Sequence, residues 1–177
     1  MQKSGYIQVY TGDGKGKTTA CLGLAMRALG HGWRVLIIQF TKGDSATNYG
    51  EIVSSCLFQN LDVLQYGTNR VVYSFNQMDE DTKEAQRGWK VAKQAITENK
   101  YDMIILDELN VVLSMNMLDE QEVVSTIQNK PENMEIVLTG RYAQPSIINI
   151  AHLVTEMRPI KHYFDDLGVM AREGIEY

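Results

Sequence analysis

The residues with the clearest chemical potential lie in one stretch near the amino terminus, residues 11–19, which reads Thr-Gly-Asp-Gly-Lys-Gly-Lys-Thr-Thr. Glycines let a backbone curl so that its N–H groups point inward and bind an anion. Lysine and hydroxyl side chains beside such a curl contact phosphate oxygens and magnesium. We interpret the following residues as nucleotide-binding, with Lys17 on the phosphates and the Thr18 hydroxyl on magnesium: Gly12, Asp13, Gly14, Lys15, Gly16, Lys17, Thr18 and Thr19.

The flanking sequence predicts the elements that would hold this loop. Residues 6–11 alternate in polarity and include β-branched side chains, as is typical of a strand. Apolar residues recur at helical spacing over residues 18–29, with Gly30 at the expected C-cap. A strand, a glycine loop and a helix in that order are the context of a P-loop, and the helix N-terminus favours phosphate. The usual pattern has a glycine where this chain has Thr11, so the alternative is a plain glycine-rich turn.

A second chemical signal is the pair of acids Asp107 and Glu108, which follows the apolar run Met103–Leu106. Four apolar residues and then an acid are typical of a Walker B strand, whose carboxylate holds magnesium or its water shell beside a P-loop. We therefore assign Thr18, Asp107 and Glu108 to a metal site. The alternative is that an acid caps the helix that begins near Leu109.

Four further residues allow two interpretations each. Lys42 lies at the carboxyl end of the second predicted strand, and we interpret it as a solvated loop lysine, with a phosphate or substrate contact as the alternative. Arg141 follows another strand and is equally consistent with a phosphate contact and with no role. Tyr73 and Phe75 lie in a loop without a clear period, where they are either core aromatics or binding residues.

The remaining chain predicts strands that alternate with helices. Strands are expected over residues 33–40, 61–66, 101–106, 135–139 and 152–157, and helices over residues 50–58, 79–100, 119–128 and 145–150, with an irregular tail from residue 158. This order indicates βαβ units and a parallel sheet covered by helices on both faces. The fold class is therefore an α/β sandwich of the P-loop NTPase type, as a single domain over residues 1–177 with a C-terminal tail.

Composition excludes several classes of protein. The chain has 177 residues, 44% of them hydrophobic, and 17 basic against 22 acidic residues, with no basic block of the kind that binds nucleic acid. No apolar run is long enough to span a bilayer and no signal segment precedes the first strand, so we expect a cytoplasmic protein without a membrane partner. Cys21 and Cys56 fit no metal or redox spacing, and Cys21 lies on the apolar helix face.

Several blocks of residues together resemble the ATP:corrinoid adenosyltransferases of the cobalamin pathway, in their P-loop-type branch. They run in order over nearly the full length: residues 11–19, 28–32, 39–43, 106–110, 138–141, 155–159, 161–162 and 174–177. The family's loop also lacks the first glycine of the usual pattern, which matches Thr11. The resemblance implies a RecA-like fold and a homodimer.

The resemblance also implies the chemistry. The 5′-deoxyadenosyl group of ATP, bound with Mg²⁺, would pass to cobalt(I) of a corrinoid substrate such as cob(I)yrinic acid a,c-diamide, and triphosphate would be released. Cobalt(I) is the nucleophile, so no catalytic base or nucleophile is expected on the protein. An electron donor such as a flavodoxin-type reductase would be a partner.

Relatives place a Phe-x-Trp sequence beside the corrin, and the matching positions here are Tyr73-Ser74-Phe75, so Tyr73 and Phe75 are expected to face the corrinoid. Many relatives also carry an amino-terminal extension that helps to cover the site, whereas here the first strand begins near residue 6. Two other functions remain open at this point. One is another P-loop NTPase or small-molecule kinase, and the other is a nucleotide-gated corrinoid carrier without catalytic activity.

Overall fold

The computed structural model describes residues 4–43, 49–68 and 78–177, which form one six-stranded parallel sheet between helices. The elements in chain order are β1 Ile7–Thr11, α1 Lys17–Gly30, β2 Val35–Gln39, α2 Gly50–Ser55, β3 Leu61–Gln65, α3 Met78–Glu98, β4 Met103–Asp107, α4 Leu109–Ser114, α5 Glu120–Gln128, β5 Glu135–Thr139, α6 Pro145–Ile150, β6 Leu153–Glu156 and α7 Tyr163–Leu167.

The strand order is β3-β2-β4-β5-β1-β6, so β5 lies between the strand that precedes the glycine loop and the strand that carries the acids. Every pairing is parallel. The carboxyl ends of β1, β4 and β5 therefore meet at one edge of the sheet, where open α/β sheets bind ligands.

The central strands are buried on both faces, which explains their unbroken apolar sequence. All five residues of β2, β4 and β5 are buried. On one face, Ile37 and Ile105 pack with the apolar side of α1, and on the other face Leu36 and Ile104 pack with α3, α4 and α5. These contacts confirm the predicted sheet covered on both sides.

Most of the predicted helix and strand boundaries agree with the structure within two or three residues, but the ends of two helices differ. Gly30 is the last residue of α1 rather than its cap; His31 is the cap, and Gly32 takes the left-handed conformation with φ 74°. The helix α3 ends two residues early because Asn99 has φ 49°, which a helix cannot continue.

The tail was predicted to be irregular, and this prediction is wrong for α7. That helix has five residues, too few for an apolar period to show, and His162 caps it by accepting a hydrogen bond from the Phe164 amide at 3.2 Å. Among the described residues, no helix has both the length and the apolar character that crossing a membrane requires.

Candidate nucleotide-binding site

The glycine loop packs against the backbone that follows β6. Gly12 has φ 93°, and a Cβ at this position would lie 2.4 Å from the Met157 carbonyl oxygen. The Gly14 amide donates to the same oxygen at 2.7 Å. Glycine is required at Gly12 because a side chain would meet both a left-handed backbone and a neighbouring strand end.

The missing first glycine has a structural reason. Thr11 is the last residue of β1 and pairs with Glu156 of β6, so the strand continues through this position instead of turning. The Thr11 hydroxyl oxygen accepts a hydrogen bond from the Ala143 amide at 3.3 Å. The loop therefore turns one residue later, at Gly12.

The start of α1 is arranged to bind an anion. Gly16 is the N-cap with φ 118°, no side chain caps the helix, and its first turn carries no acidic residue. The first N–H groups of a helix and its dipole attract phosphate when no side chain satisfies them. This geometry supports the interpretation of residues 12–19 as a phosphate-binding loop.

Lys17 folds back over this loop. Its Nζ donates to the Gly12 and Gly14 carbonyl oxygens at 2.7 and 2.8 Å, and the side chain is buried. Burial lowers the pKa of the Lys17 ammonium, an effect that the facing Glu108 carboxylate opposes. A cation held over the curl of amides is suited to neutralise phosphate oxygens.

Asp107 connects the loop to the centre of the sheet. Its Oδ1 accepts hydrogen bonds from the Thr18 hydroxyl at 2.9 Å and from the Thr139 hydroxyl at 2.7 Å. Its Oδ2 accepts from Gln39 Nε2 at 3.3 Å and lies 3.8 Å from Lys42 Nζ. This fully buried carboxylate does not cap α4, so the alternative interpretation as a cap is wrong for Asp107.

Glu108 stands at the N-cap position of α4, yet its side chain makes no capping hydrogen bond. Its φ is 64°, a conformation that strains any residue other than glycine, and the Glu108 amide donates to the Thr139 hydroxyl at 2.9 Å. Burial and the neighbouring Asp107 charge raise the pKa of the Glu108 carboxyl. The turn thus directs a partly buried carboxylate toward the loop.

The chemistry of these donors fits magnesium. The Thr18 hydroxyl donates a hydrogen bond to Asp107, so the lone pairs of its oxygen remain available to a metal ion. Glu108 adds a second carboxylate. Oxygen ligands of this kind, with one or two carboxylates beside phosphate, are what Mg²⁺ takes in nucleotide sites.

Lys42 is not the solvated lysine that the sequence suggested. Its Nζ lies 2.8 Å from Glu51 Oε1 and 4.7 Å from the centre of the Tyr49 ring, and its side chain is 19% exposed. Burial alone would lower the pKa of Lys42, but the Asp107 and Glu51 carboxylates outweigh it and raise the pKa. A lysine alone after a strand gives no sign of a partner nine residues later in the next helix, so sequence reasoning missed this pair.

Arg141 lies at the same edge but is half exposed, with its Nε 3.8 Å from Asp13 Oδ1. Gly140, which precedes it, has φ 125°, and a Cβ there would lie 3.1 Å from Asn110 Cβ. The tight turn after β5 therefore brings Arg141 to the loop.

The C-terminal segment, residues 174–177, also contacts the glycine loop. The sequence did not predict this contact. Lys15 Nζ lies 2.9 Å from Glu176 Oε1 and donates to the Ile175 carbonyl oxygen at 3.2 Å. Hydrogen bonds from the Tyr163 hydroxyl and from Lys15 lower the pKa of Glu176 to about 2. Glu176 is therefore ionised at neutral pH.

In the described part of the chain, two cavities open on the loop. The α1-side cavity, of about 560 Å³, extends between α1, α2 and the C-terminal segment, with apolar walls that include Leu22, Met26 and Phe58. The α7-side cavity, of about 420 Å³, extends between the loop, Arg141 and the start of α7. Tyr73 and Phe75, expected to face a corrinoid, lie outside the described residues.

Comparison with known proteins gives the family. The model of the ATP:corrinoid adenosyltransferase family BtuR/CobO/CobP matches residues 3–177. The chain belongs to this family. A corrinoid adenosyltransferase of Escherichia coli K12 is 35% identical over 177 residues, with 100% of this chain and 88% of the relative covered. Corrinoid adenosyltransferases from Sinorhizobium sp. and Pseudomonas aeruginosa are 37% and 36% identical, covering 99% and 98% of this chain and 81% and 84% of theirs.

Membership in the ATP:corrinoid adenosyltransferase family confirms the resemblance that the sequence blocks indicated. The fold has an independent likeness in the flagellar accessory protein FlaH from Methanocaldococcus jannaschii, with a TM-score of 0.57, 14% identity, and coverage of 87% of this chain and 71% of that one. That likeness confirms the predicted P-loop NTPase fold. The chain is an ATP:corrinoid adenosyltransferase by family, and its substrates are ATP and a corrinoid.

Proposed function

We propose that the chain transfers the 5′-deoxyadenosyl group of Mg²⁺-bound ATP to cobalt(I) of cob(I)yrinic acid a,c-diamide. The electron pair of cobalt(I) attacks the 5′ carbon of the ribose, the bond from that carbon to the 5′ oxygen breaks, and triphosphate leaves with the bonding electrons. Membership in the family supports this type of reaction. The choice of this corrinoid rests on the resemblance.

The single observation that best supports the proposal is the cradle around the leaving group. The proposal is supported by the first turn of α1, which no side chain caps, by the Lys17 ammonium over the loop, and by the Thr18 hydroxyl held by Asp107, since N–H groups, an ammonium and a hydroxyl are suited to bind triphosphate oxygens. Preorganised donors of this kind stabilise charge as it develops on a leaving group. Thr18, Asp107 and Glu108 would hold Mg²⁺, which supplies further neutralisation of that charge.

The decisive experiment identifies the two reaction products, the alkylated corrinoid and the released phosphate compound. Purified protein, magnesium-ATP and a chemically pre-reduced corrinoid should yield an alkyl-cobalt absorption spectrum that light abolishes, with one triphosphate released per corrinoid. Release of ADP would instead indicate a kinase or ATPase, and binding without turnover would indicate a carrier. A series with cob(I)yrinic acid a,c-diamide, cobinamide and cobalamin, compared by kcat/KM, tests the corrinoid.

Four further proposals concern the setting of this activity. The chain works in the cytoplasm as a single domain, receives electrons from a flavodoxin-type reductase, and forms a homodimer. The edge strand β6, whose Leu153 and Val154 side chains are exposed, supports self-association, and sedimentation velocity would test it. The corrin-facing role of Tyr73 and Phe75 remains a prediction from the sequence.

A further inference from the structure

The C-terminal segment contacts the phosphate loop through one lysine. Lys15 Nζ makes a hydrogen-bonded ion pair with Glu176 Oε1 at 2.9 Å and donates to the Ile175 carbonyl oxygen at 3.2 Å. An ammonium group has three N–H donors, so the segment takes two of them. Only one donor of Lys15 is left for another acceptor.

The carboxylate that binds Lys15 is fixed by its own surroundings. Glu176 Oε1 also accepts from the Tyr163 hydroxyl, and Oε2 accepts from the Arg172 amide at 2.8 Å and lies 3.4 Å from the guanidinium Nε of Arg172. The Glu176 amide donates to the Arg172 carbonyl oxygen at 2.9 Å, which closes a turn at the end of the chain. The negative charge is therefore held at the loop whether or not Lys15 stays on it.

The ion pair stands between the two cavities. Lys15 and Glu176 line both the α1-side cavity and the α7-side cavity, together with Lys17 and Glu108. A polyphosphate on the loop amides would bring its oxygens beside the Lys15 ammonium and also beside the Glu176 carboxylate. Lys17 differs, since its two acceptors are neutral carbonyl groups.

We propose that Glu176 is a positioning residue of the phosphate loop, which holds Lys15 in the empty site and yields it when a polyphosphate binds. The inference depends on the proposed function in one respect, that the loop binds the triphosphate of ATP. Breaking the ion pair and approaching a fixed carboxylate both oppose binding. The same carboxylate recovers Lys15 as the triphosphate product leaves, and so favours release.

The test compares three proteins by calorimetric titration with inorganic tripolyphosphate in the presence of magnesium. Glu176→Gln should bind tripolyphosphate roughly three- to tenfold more tightly than wild type, since an exposed ion pair and one repulsive charge are both removed. Asp166→Asn is the matched control: it removes an exposed carboxylate of α7 without touching the ion pair, and its affinity should stay within about twofold of wild type.

A second measurement separates this role from a general effect of charge or fold. In a Lys15→Met background the gain from Glu176→Gln should shrink, because the ion pair between Glu176 and residue 15 is already absent, while the contact of Glu176 with Arg172 is the same in both backgrounds. In turnover, Glu176→Gln should lower the KM for ATP and strengthen inhibition by triphosphate, with kcat unchanged or reduced. Equal thermal midpoints for the variants establish that the fold is kept.

Each outcome decides the proposal. Equal or weaker tripolyphosphate binding by Glu176→Gln overturns it, as does equal tightening by Asp166→Asn, which would show a simple effect of net charge. An unfolded Glu176→Gln protein would make the carboxylate structural and overturn it too. If wild type binds neither tripolyphosphate nor ATP, the proposed function itself fails, and this inference fails with it.

Discussion

Lys17 illustrates how much of the site rests on a single side chain. Its ammonium is buried against two loop carbonyl oxygens and has no apolar packing role of its own. Lys17→Ala should lower kcat/KM by about 10²–10³-fold, because one positive contact to the leaving group is worth a few kcal/mol in a site with little water. The thermal midpoint should stay close to that of wild type.

The measurement is steady-state turnover with pre-reduced corrinoid, beside a melting curve. Lys15→Ala serves as a comparison, since Lys15 is an exposed lysine of the same loop that the C-terminal segment already holds. Normal turnover by a folded Lys17→Ala protein would contradict the assignment of the phosphate loop.

Asp107, the last residue of β4, and Glu108, which follows it, should behave differently when their charges are removed. Asp107→Asn places an amide N–H₂ against Gln39 Nε2 and Lys42, so a buried donor loses its acceptor and stability should fall by about 1–3 kcal/mol. Glu108→Gln removes a carboxylate that burial and the neighbouring Asp107 charge disfavour, and it should keep or raise the thermal midpoint while activity falls.

Titration with magnesium separates the metal role from the structural one. If the carboxylates serve magnesium, both variants need more of it for half-maximal activity, and excess magnesium restores part of the rate. A loss of stability with an unchanged magnesium requirement would make Asp107 purely structural.

At the level of elements, the sequence predicted the six strands and most helices because their apolar periods are long enough to detect. Asp119, the first residue of the helix predicted over residues 119–128, is the N-cap of α5, and its Oδ1 accepts from the Glu122 amide at 2.9 Å. The features that the sequence did not predict come from contacts between distant residues. The partners of Lys42 and of Lys15 lie 9 and 161 positions away, and neither periodicity nor spacing records such pairs.

The close packing of the glycine loop against Met157 can be tested by substituting a glycine. Gly12→Ala puts a methyl group 2.4 Å from the Met157 carbonyl oxygen in a left-handed backbone, and the free energy of unfolding should fall by about 2–4 kcal/mol. Gly23→Ala is the matched control within α1, where a Cβ meets nothing within 4 Å, and it should stabilise the protein by up to about 1 kcal/mol.

Chemical denaturation of both variants gives the two values, and ATP titration of Gly12→Ala should show weakened binding as the loop shifts away from β6. Equal stability of the two variants would mean that the loop adapts without cost. The close packing against Met157 would then have no energetic role.

Across the whole molecule, β5 separates the strand of the phosphate loop from the strand of the acids. Two strand spacings amount to roughly 9.5 Å, so the two halves of the site need side chains to connect them. Thr139, at the end of β5, donates to Asp107 at 2.7 Å and accepts from the Glu108 amide at 2.9 Å. The sequence predicted a parallel sheet but not this strand order, because order depends on which edges meet after folding.

Thr139 should therefore be sensitive to the loss of its hydroxyl and tolerant of the loss of its methyl group. Thr139→Val leaves the Glu108 amide without its acceptor and removes one of the two hydrogen bonds to Asp107 Oδ1, and we expect about 1–3 kcal/mol of destabilisation with a large loss of activity. Thr139→Ser keeps both hydrogen bonds and should retain most activity. Similar effects of the two substitutions would locate the role of Thr139 in packing rather than in its hydroxyl.

The pairing of the site's cations has a consequence for how ATP arrives. In the described part of the chain, the groups around the loop are the cations Lys15, Lys17, Lys42 and Arg141 and the carboxylates of Asp13, Glu51, Asp107, Glu108 and Glu176. These charges nearly balance within the site, and the chain as a whole carries a net charge of −5, so the long-range field does not attract an approaching polyanion. ATP would meet this protein without electrostatic steering, added salt would not slow its association, and attraction would begin only once lysines change partners at contact.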